Sequence, residues 1–340
     1  MRTPTPLKTR RLGRTGPTVS ALGLGAMGMS DFYGPADREE SLATLNAALD
    51  EGITLIDTGD FYGSGHNELL VGEALRGRRR DDVVISVKFG ALRDPQGNFT
   101  GVDLRPLAIR NFLAYSLKRL NTDHIDVYRP ARMPPGTDVE EVIGTLADLV
   151  KAGYIRHIGL SEIGAKTLRR AAAVHPIADL QIEYSLISRD IEPEILPTAR
   201  ELGVGITAYG VLSRGLLSGH WSADRTVTAT DFRARSPRFQ GANLEKNLRL
   251  VEALRAIAQR KGISVAQAAI AWVLSRGEDI IPLIGARTRE RLDEALGAAE
   301  ITLTAPDLEE LARAIPADAV AGTRYPEHSL PDLDRERPGP

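Results

Sequence analysis

The stretch Asp50-Glu51-Gly52-Ile53-Thr54-Leu55-Ile56 contains the pattern that predicts the fold of this chain of 340 residues. An amphipathic segment over residues 38–51 ends at Gly52, a place where a helix commonly needs a left-handed residue. A short apolar run follows at once and predicts a β-strand. Glu201-Leu202-Gly203-Val204 repeats the arrangement further along the chain. A helix, a glycine stop and a short strand form one unit of a parallel β/α architecture.

About eight such units follow one another along the chain. The predicted strands are residues 21–24, 54–56, 83–87, 125–128, 155–160, 180–182, 205–208 and 280–284. The predicted helices lie at approximately residues 38–51, 66–77, 105–119, 138–152, 165–174, 192–202, 244–261 and 288–299. Eight units in roughly 280 residues are typical of a closed (β/α)8 barrel, the TIM barrel. We therefore predict the α/β class with this barrel.

Two segments depart from the repeat. Residues 7–19 are predicted to form a β-hairpin before the first barrel strand, and residues 213–243 a long polar loop after the seventh strand. Loops of this length in compact domains are usually functional or disordered. We predict a single domain over residues 1–340, with its core at about 12–315 and a tail at 326–340 that is loose at its end.

Composition narrows the classes of function. The net charge is −2, so no basic surplus indicates binding to nucleic acid or to an anionic membrane surface. Cysteine is absent, which excludes a disulfide framework, a thiolate metal site and a thiol nucleophile. We expect no metal, because no histidine or carboxylate cluster has ligand spacing. The apolar runs are too short to span a bilayer and the N-terminus lacks a signal-peptide core, so we expect a cytoplasmic protein.

A carboxylate, a phenol and an amine follow two neighbouring predicted strands, in Asp57-Thr58-Gly59-Asp60-Phe61-Tyr62-Gly63 and at Lys88. A phenol with an ordinary pKa of about 10 is a poor acid at neutral pH. A nearby ammonium stabilises the phenolate and lowers that pKa, and a carboxylate keeps the ammonium charged and oriented. Such a trio could protonate a carbonyl oxygen while hydride reaches the carbonyl carbon.

Gly23-Leu24-Gly25-Ala26-Met27-Gly28 matches the G-x-G-x-x-G pattern of a Rossmann phosphate loop. That fingerprint requires a helix to open inside the motif, whereas residues 29–35 have the composition of a loop. We therefore interpret these glycines as positions where the backbone approaches a ligand at the mouth of a barrel strand.

Six short motifs, in their order and spacing, resemble the aldo-keto reductase superfamily, in particular its monomeric bacterial and β-subunit-like branch. They are Leu22-Gly23-Leu24-Gly25-Ala26-Met27, Ile56-Asp57-Thr58-Gly59-Asp60-Phe61-Tyr62-Gly63, Val87-Lys88, Gly159-Leu160-Ser161, Leu180-Gln181-Ile182-Glu183-Tyr184-Ser185 and Ala208-Tyr209-Gly210-Val211-Leu212-Ser213-Arg214-Gly215-Leu216-Leu217-Ser218-Gly219. The resemblance extends over about residues 12–311. It implies a (β/α)8 barrel and an oxidoreductase that reduces aldehydes and ketones with NADPH. In a catalytic tetrad, Tyr62 would be the general acid, Lys88 would lower its pKa and Asp57 would anchor Lys88.

The resemblance also implies an NADPH site. Ser161 and Gln181 would hydrogen-bond the nicotinamide carboxamide, Tyr209 would stack on the ring, and the 210–217 loop would hold the pyrophosphate. Arginines after the eighth strand would bind the 2′-phosphate, which favours NADP over NAD. The full set of expected cofactor contacts is Gly25, Ala26, Met27, Ser161, Gln181, Tyr209, Gly210, Leu212, Arg214, Leu217, Arg287, Arg291 and Glu294. Phe32 and Tyr33, together with Ala131, are expected to line the substrate cleft.

The fourth tetrad member of the family is a histidine after the fourth strand, and this chain has Ala131 in its place within Tyr128-Arg129-Pro130-Ala131-Arg132. Three explanations stay open at this point. Tyr62 and Lys88 could suffice for reactive aldehydes; a water, Arg129 or Arg132 could replace the donor; or the chain could bind NADPH with little turnover, as a regulator or sensor. We favour a working enzyme on a small carbonyl substrate, and a protein partner is unknown.

Overall fold

The computed structural model describes residues 7–30 and 32–334. Eight parallel strands close into a barrel and follow chain order around it, with β8 paired to β1. They are β1 Gly23–Gly25, β2 Leu55–Gly59, β3 Val84–Phe89, β4 Ile125–Pro130, β5 Ile155–Ser161, β6 Ile177–Glu183, β7 Gly205–Tyr209 and β8 Ile280–Ile284. The strands are buried along almost their whole length, as a barrel covered by helices requires. The prediction of a (β/α)8 barrel is confirmed.

Ten α-helices accompany the barrel within the described residues. They are α1 Arg38–Asp50, α2 His66–Ala74, α3 Pro106–Leu120, α4 Val139–Lys151, α5 Ala165–Val174, α6 Ile195–Leu202, α7 Gly241–Arg260, α8 Val265–Leu274, α9 Arg289–Gly297 and α10 Ala305–Ala314. Their apolar faces join the strands in one large hydrophobic core. No described helix is long and apolar enough to cross a membrane.

Glycine stops close the helices that the opening pattern marked. Gly52, after α1, has a φ of 89°, and Gly203, after α6, has a φ of 72°. Both angles lie in the left-handed region, where a side chain is strained. At the start of α1, the Asp37 carboxylate accepts a hydrogen bond from the Glu40 amide, which satisfies an otherwise free donor of the first turn.

Two hairpins lie outside the barrel. The expected one pairs Thr9–Arg11 with Thr18–Ser20, and its Leu12 and Val19 pack against the interior of the barrel. The second pairs Ala91–Arg93 with Phe99–Val102 after β3 and was not predicted. Its strands are only three and four residues long. So short a polar segment carries too little periodicity to be told from a loop.

The long loop after β7 is more ordered than expected. It contains three 3₁₀ helices, Ser213–Ser218, Phe232–Arg235 and Pro237–Phe239, and then leads into α7. The tail packs against the barrel as far as residue 334. Leu333 is buried, and the Asp334 carboxylate accepts a hydrogen bond from the Gly164 amide at the start of α5. Residues 335–340 of the predicted tail lie outside the described residues.

Candidate active site

The predicted reactive side chains gather at the carboxyl ends of neighbouring strands, which is where TIM barrels carry their sites. Asp57 lies in β2. Lys88 of β3 is in register with Arg129 of β4, and Ser161 of β5 with Gln181 of β6. The barrel therefore brings together groups that are more than a hundred residues apart in sequence.

Asp57 is the centre of a buried hydrogen-bond cluster. Its carboxylate accepts from Lys88 Nζ, from Ser86 Oγ at 2.8 Å, from Arg129 Nη1 at 3.0 Å and from Gln181 Nε2 at 2.7 Å. Burial opposes ionisation, but the charges of Lys88 and Arg129 outweigh it and hold the pKa of Asp57 below its usual value. The predicted contact between Asp57 and Lys88 is present.

Tyr62 lies over this cluster with its ring centre 5.1 Å from Lys88 Nζ. Burial, followed by the charge of Asp57, raises the pKa of Tyr62 well above its usual value, while the charge of Arg132 lowers it. Burial lowers the pKa of Lys88 to about 8, although Asp57 opposes the shift. The expected lowering of the Tyr62 pKa by Lys88 is therefore absent from this structure, because burial of the phenol and the nearby carboxylate dominate.

Ala131 fills the expected histidine position with a methyl group. It is buried in a small apolar cluster with Phe61 and Tyr62, against which Met27 and Phe32 pack. The rings of Phe61 and Phe32 meet the Tyr62 ring edge to face, at centre distances of 4.8 and 5.8 Å. Tyr62 is thus held by apolar contacts on the side where the family has an imidazole.

Neither a nearby histidine nor Arg129 stands in for the missing group. His124 precedes β4 and His157 lies near the start of β5, at the opposite end of the barrel. Arg129 has no solvent exposure and spans two carboxylates, donating to Asp57 and, at 2.6 Å, to Asp179 Oδ2. Its guanidinium is part of the barrel interior, so the hypothesis that Arg129 is the substitute donor is wrong.

The mouth beside Tyr62 has an aromatic wall. Phe32, which was predicted, lies with its ring centre 5.8 Å from that of Phe99, which was not. Phe99 comes from the unpredicted hairpin, so no motif indicated it. Tyr33 lies toward the other side, where its ring faces the Arg233 guanidinium at 4.9 Å and its carbonyl accepts from Arg287 at 3.0 Å.

The loop after β7 begins with a tight, kinked turn. Gly210, Ser213, Arg214 and Gly215 all have positive φ angles, at 66°, 45°, 58° and 95°. Ser213, Arg214 and Gly215 form an uninterrupted run of left-handed residues, and the amides of Ser213, Gly215 and Leu217 donate to carbonyls within the loop. Across the mouth, a Cβ atom added to Gly25 of β1 would lie 3.6 Å from its nearest neighbour, the Ile284 carbonyl oxygen. The backbone of Gly25 is therefore not crowded on this side. These features fit a nicotinamide dinucleotide.

The start of α9 carries the two predicted phosphate-binding arginines. Arg287 donates to the carbonyls of Tyr33 and Pro35, and Arg291 Nη1 lies 3.1 Å from Glu294 Oε2 and 2.6 Å from His220 Nε2. The two side chains thus flank a helix N-terminus, which itself favours anions.

The remaining predicted cofactor residues differ in their exposure and in whether their hydrogen-bond donors are occupied. Gln181 donates its amide to Asp57, so that donor is occupied in this structure. Ala26 is fully buried and its amide donates to the Asp57 carbonyl. Leu217 is buried as well, and only Met27 and Leu212 are partly exposed.

A segment near the C-terminus completes the mouth and was missed by the sequence motifs. Tyr325 Oη lies 3.1 Å from Tyr209 Oη, which also donates to Glu162 at 2.9 Å. The adjacent Arg324 donates to Glu162 and Glu183 at 2.8 and 3.0 Å, and both carboxylates are buried. Ion pairs therefore tie the segment to β6 and to the residue after β5, and a hydrogen bond between hydroxyls ties it to β7. The paired charges could not be recognised as partners from a spacing of more than a hundred residues.

A parallel barrel with a buried carboxylate and lysine under a tyrosine at the carboxyl ends of its strands is the arrangement of a barrel oxidoreductase. Comparison with known proteins agrees. The model of the Aldo/keto reductase family matches residues 21–316. Since that match covers most of the chain, this protein belongs to the aldo/keto reductase family.

Individual relatives are similar over most of their length. The chain is 41% identical over 318 residues to "Probable aldo-keto reductase 1" of Glycine max, covering 93% of this chain and 91% of that protein. It is 39% identical over 324 residues to the NADP(+) aldo-keto reductase yakc of Schizosaccharomyces pombe, covering 94% and 95%. Among solved structures, the glycerol dehydrogenase from Gluconobacter oxydans superposes with a TM-score of 0.81 at 33% identity, covering 91% of this chain and 96% of that one.

Proposed function

We propose that this protein is an NADPH-dependent reductase of aldehydes or ketones in which Tyr62 is the general acid. The observation that carries the proposal is the position of Tyr62, above the buried Asp57–Lys88 pair and beside an aromatic cleft. When bound, NADPH supplies hydride to the carbonyl carbon.

The protein's own part in this reaction is to hold and deliver a proton. Tyr62 has a raised pKa, so its hydroxyl carries a proton at neutral pH and can give it to the carbonyl oxygen. Lys88, with a pKa of about 8, can exchange a proton near neutral pH and so support the phenol. Asp57 keeps Lys88 in place.

The charges around the cofactor groove support NADP over NAD. Arg287 and Arg291 flank the start of α9, whereas recognition of an unphosphorylated ribose commonly uses a carboxylate. The relative from Schizosaccharomyces pombe is named for NADP(+). We propose that these two arginines bind the 2′-phosphate and that the 210–217 loop binds the pyrophosphate. A cytoplasmic location stays a prediction.

The test is the Tyr62→Phe variant with a panel of aldehydes and ketones. We expect kcat to fall by roughly 10²–10⁴-fold, because a positioned acid contributes that much. The dissociation constant of NADPH, followed by its fluorescence, should change little. An unchanged rate of NADPH oxidation in the variant would contradict the assignment of Tyr62.

A second candidate function rests on Ala131, the buried apolar residue where the family has a histidine. A protein that binds NADPH but lacks a carbonyl donor could serve as a sensor of the cofactor. This alternative predicts tight NADPH binding and negligible oxidation with every carbonyl of the panel. Turnover by the unmodified protein would exclude it.

A further inference from the structure

Arg132, the residue after Ala131, is the polar side chain whose position the proposed reaction does not yet explain. The Ala131 amide donates to the Phe89 carbonyl at 2.8 Å, which fixes the chain beyond β4 against the end of β3. Arg132 Nη1 turns back and donates to the Ala131 carbonyl at 2.6 Å. Ala131 packs against Tyr62. Because Arg132 is the next residue in the chain, its guanidinium is held near the phenol.

A second contact holds the same guanidinium from the opposite side of the mouth. Arg132 Nη2 donates to Tyr325 Oη at 3.2 Å, and the Arg132 Cζ atom lies 5.8 Å from the Tyr325 ring centre. Tyr325 Oη also lies 3.1 Å from Tyr209 Oη. Arg132 therefore lies between Tyr62, the predicted general acid, and Tyr209, the tyrosine expected to stack on the nicotinamide.

The charge of Arg132 has no carboxylate partner in the part of the chain that the structure describes. Its neighbours differ in this respect, since Arg129 and Arg324 each pair with two carboxylates. A guanidinium has five N–H donors, and Arg132 donates to two neutral oxygens, those of the Ala131 carbonyl and the Tyr325 hydroxyl. A half-buried guanidinium with unused donors can donate to a further acceptor oxygen.

We propose that Arg132 is a catalytic residue that donates a hydrogen bond to the substrate carbonyl oxygen, in place of the absent histidine. This inference rests on the reductase function proposed above. As negative charge develops on the oxygen, a fixed guanidinium stabilises it without giving up a proton. Tyr62 still supplies the proton, hydride still comes from the cofactor, and Arg132 ends the reaction unchanged. Tyr325 is a positioning residue for Arg132.

The main test compares Arg132→Met, which keeps most of the side-chain volume, with Arg170→Met on the exposed surface of α5. For a neutral aldehyde such as benzaldehyde, we expect kcat of Arg132→Met to fall about 10²–10³-fold, the usual cost of one lost oxyanion donor. Arg132→Lys should recover part of the rate, because an ammonium restores charge and a donor. The dissociation constant of NADPH should stay within about twofold in every variant, since Arg132 is assigned to the substrate. Arg170→Met should behave as the unmodified protein does.

A binding measurement separates this inference from the proposed function. Benzamide has a carbonyl oxygen but is not reduced, and its binding to the NADPH complex can be followed by quenching of cofactor fluorescence. We expect Arg132→Met to weaken benzamide binding about tenfold, in line with the loss of a hydrogen bond to a charged donor. Tyr325→Phe should show a smaller loss in both benzamide binding and kcat. The unmodified protein could bind benzamide through Arg132 and yet reduce no carbonyl compound. That result would contradict the proposed reductase function but support the contact between Arg132 and a carbonyl oxygen.

Two results would overturn the inference itself. One is an Arg132→Met protein that reduces benzaldehyde and binds benzamide as the unmodified protein does, while Tyr62→Phe is inactive. The other is an Arg132→Met protein in which only the KM for 4-carboxybenzaldehyde rises, while kcat and the kinetics with benzaldehyde stay unchanged. That pattern would make Arg132 an anchor for a substrate carboxylate and leave the carbonyl oxygen without this donor.

Discussion

Two layers of the barrel mouth both contain aspartate and arginine, but they differ in whether these charges are paired. The inner layer, which comprises Asp57, Lys88, Arg129 and Asp179, lies within the strands. The outer layer, which comprises Asp60, Ala131 and Arg132, lies in the connections that follow β2 and β4. Asp57 and Asp60 are three positions apart in sequence, and so are Arg129 and Arg132. In the inner layer every charge is paired, whereas in the outer layer none has a side-chain partner of opposite charge among the described residues.

The difference is clearest in the two carboxylates. Four side chains donate to Asp57, and its pKa is held below the usual value despite burial. Burial, followed by the charge of Glu68, raises the pKa of Asp60 to about 8. Depth alone therefore does not set the ionisation of a carboxyl group at this mouth. The charges of the neighbouring side chains decide it, since Lys88 and Arg129 lie beside Asp57 and Glu68 lies near Asp60.

The largest expected effect is on stability, from Arg129→Met. This change leaves Asp57 and Asp179 buried without their shared cation, so we expect the free energy of unfolding to fall by roughly 3–5 kcal/mol. Arg132→Met should lower it by no more than about 1 kcal/mol, because no buried carboxylate loses its partner. Urea denaturation of both variants measures the difference. Equal losses would mean that the two layers do not differ in charge pairing.

A smaller and pH-dependent effect is expected for Asp60→Asn. Asp60 has a pKa of about 8 in the folded protein against a usual value of 3.8. The folded state therefore binds the proton more tightly, and its stability falls as the pH rises between those values. Because Asn cannot ionise, the variant should be more stable than the unmodified protein at pH 7, by roughly 1–3 kcal/mol. That advantage should shrink as the pH is lowered and vanish near the usual pKa.

The control for this prediction is Asp82→Asn, since Asp82 has 64% of its side chain exposed. Thermal unfolding at a series of pH values measures both variants. A constant difference between Asp60→Asn and the unmodified protein at all pH values would show that Asp60 does not titrate as described.

The smallest effect is expected from Ala131→His, which restores the family's donor to the outer layer. If Arg132 already donates to the carbonyl, ketone reduction should change less than about tenfold, well below the roughly 10²–10⁴-fold that a missing donor would supply. Crowding of the apolar cluster should cost about 1–3 kcal/mol of stability. In the Arg132→Met background, the same histidine should restore much of the lost rate. A large gain in the otherwise unmodified protein would show that the outer layer has no donor.

Much of the fold could be predicted because its signals are local. Gly52 and Gly203 mark helix ends, and the apolar runs after them mark strands, so the barrel follows from alternation. The hairpin that carries Phe99 could not be predicted, because strands of three and four residues around a polar turn lack a periodic pattern. Tyr325 was missed for a related reason, since its contacts with Tyr209 and Arg132 involve no regular element of its own.

The sequence by itself determined that Asp57, Tyr62 and Lys88 meet at one end of a barrel, since residues that end consecutive parallel strands share an edge. The resemblance to the family also predicted that Ala131 stands where a histidine is expected. Only the tertiary structure decided that Arg129 is fully buried and that Arg132 is partly exposed. Arg129 is neutralised by Asp179 from β6, and Arg132 is held by Tyr325 from the far end of the chain. The physical reason is that pairing and burial depend on distances in space, which no local pattern records.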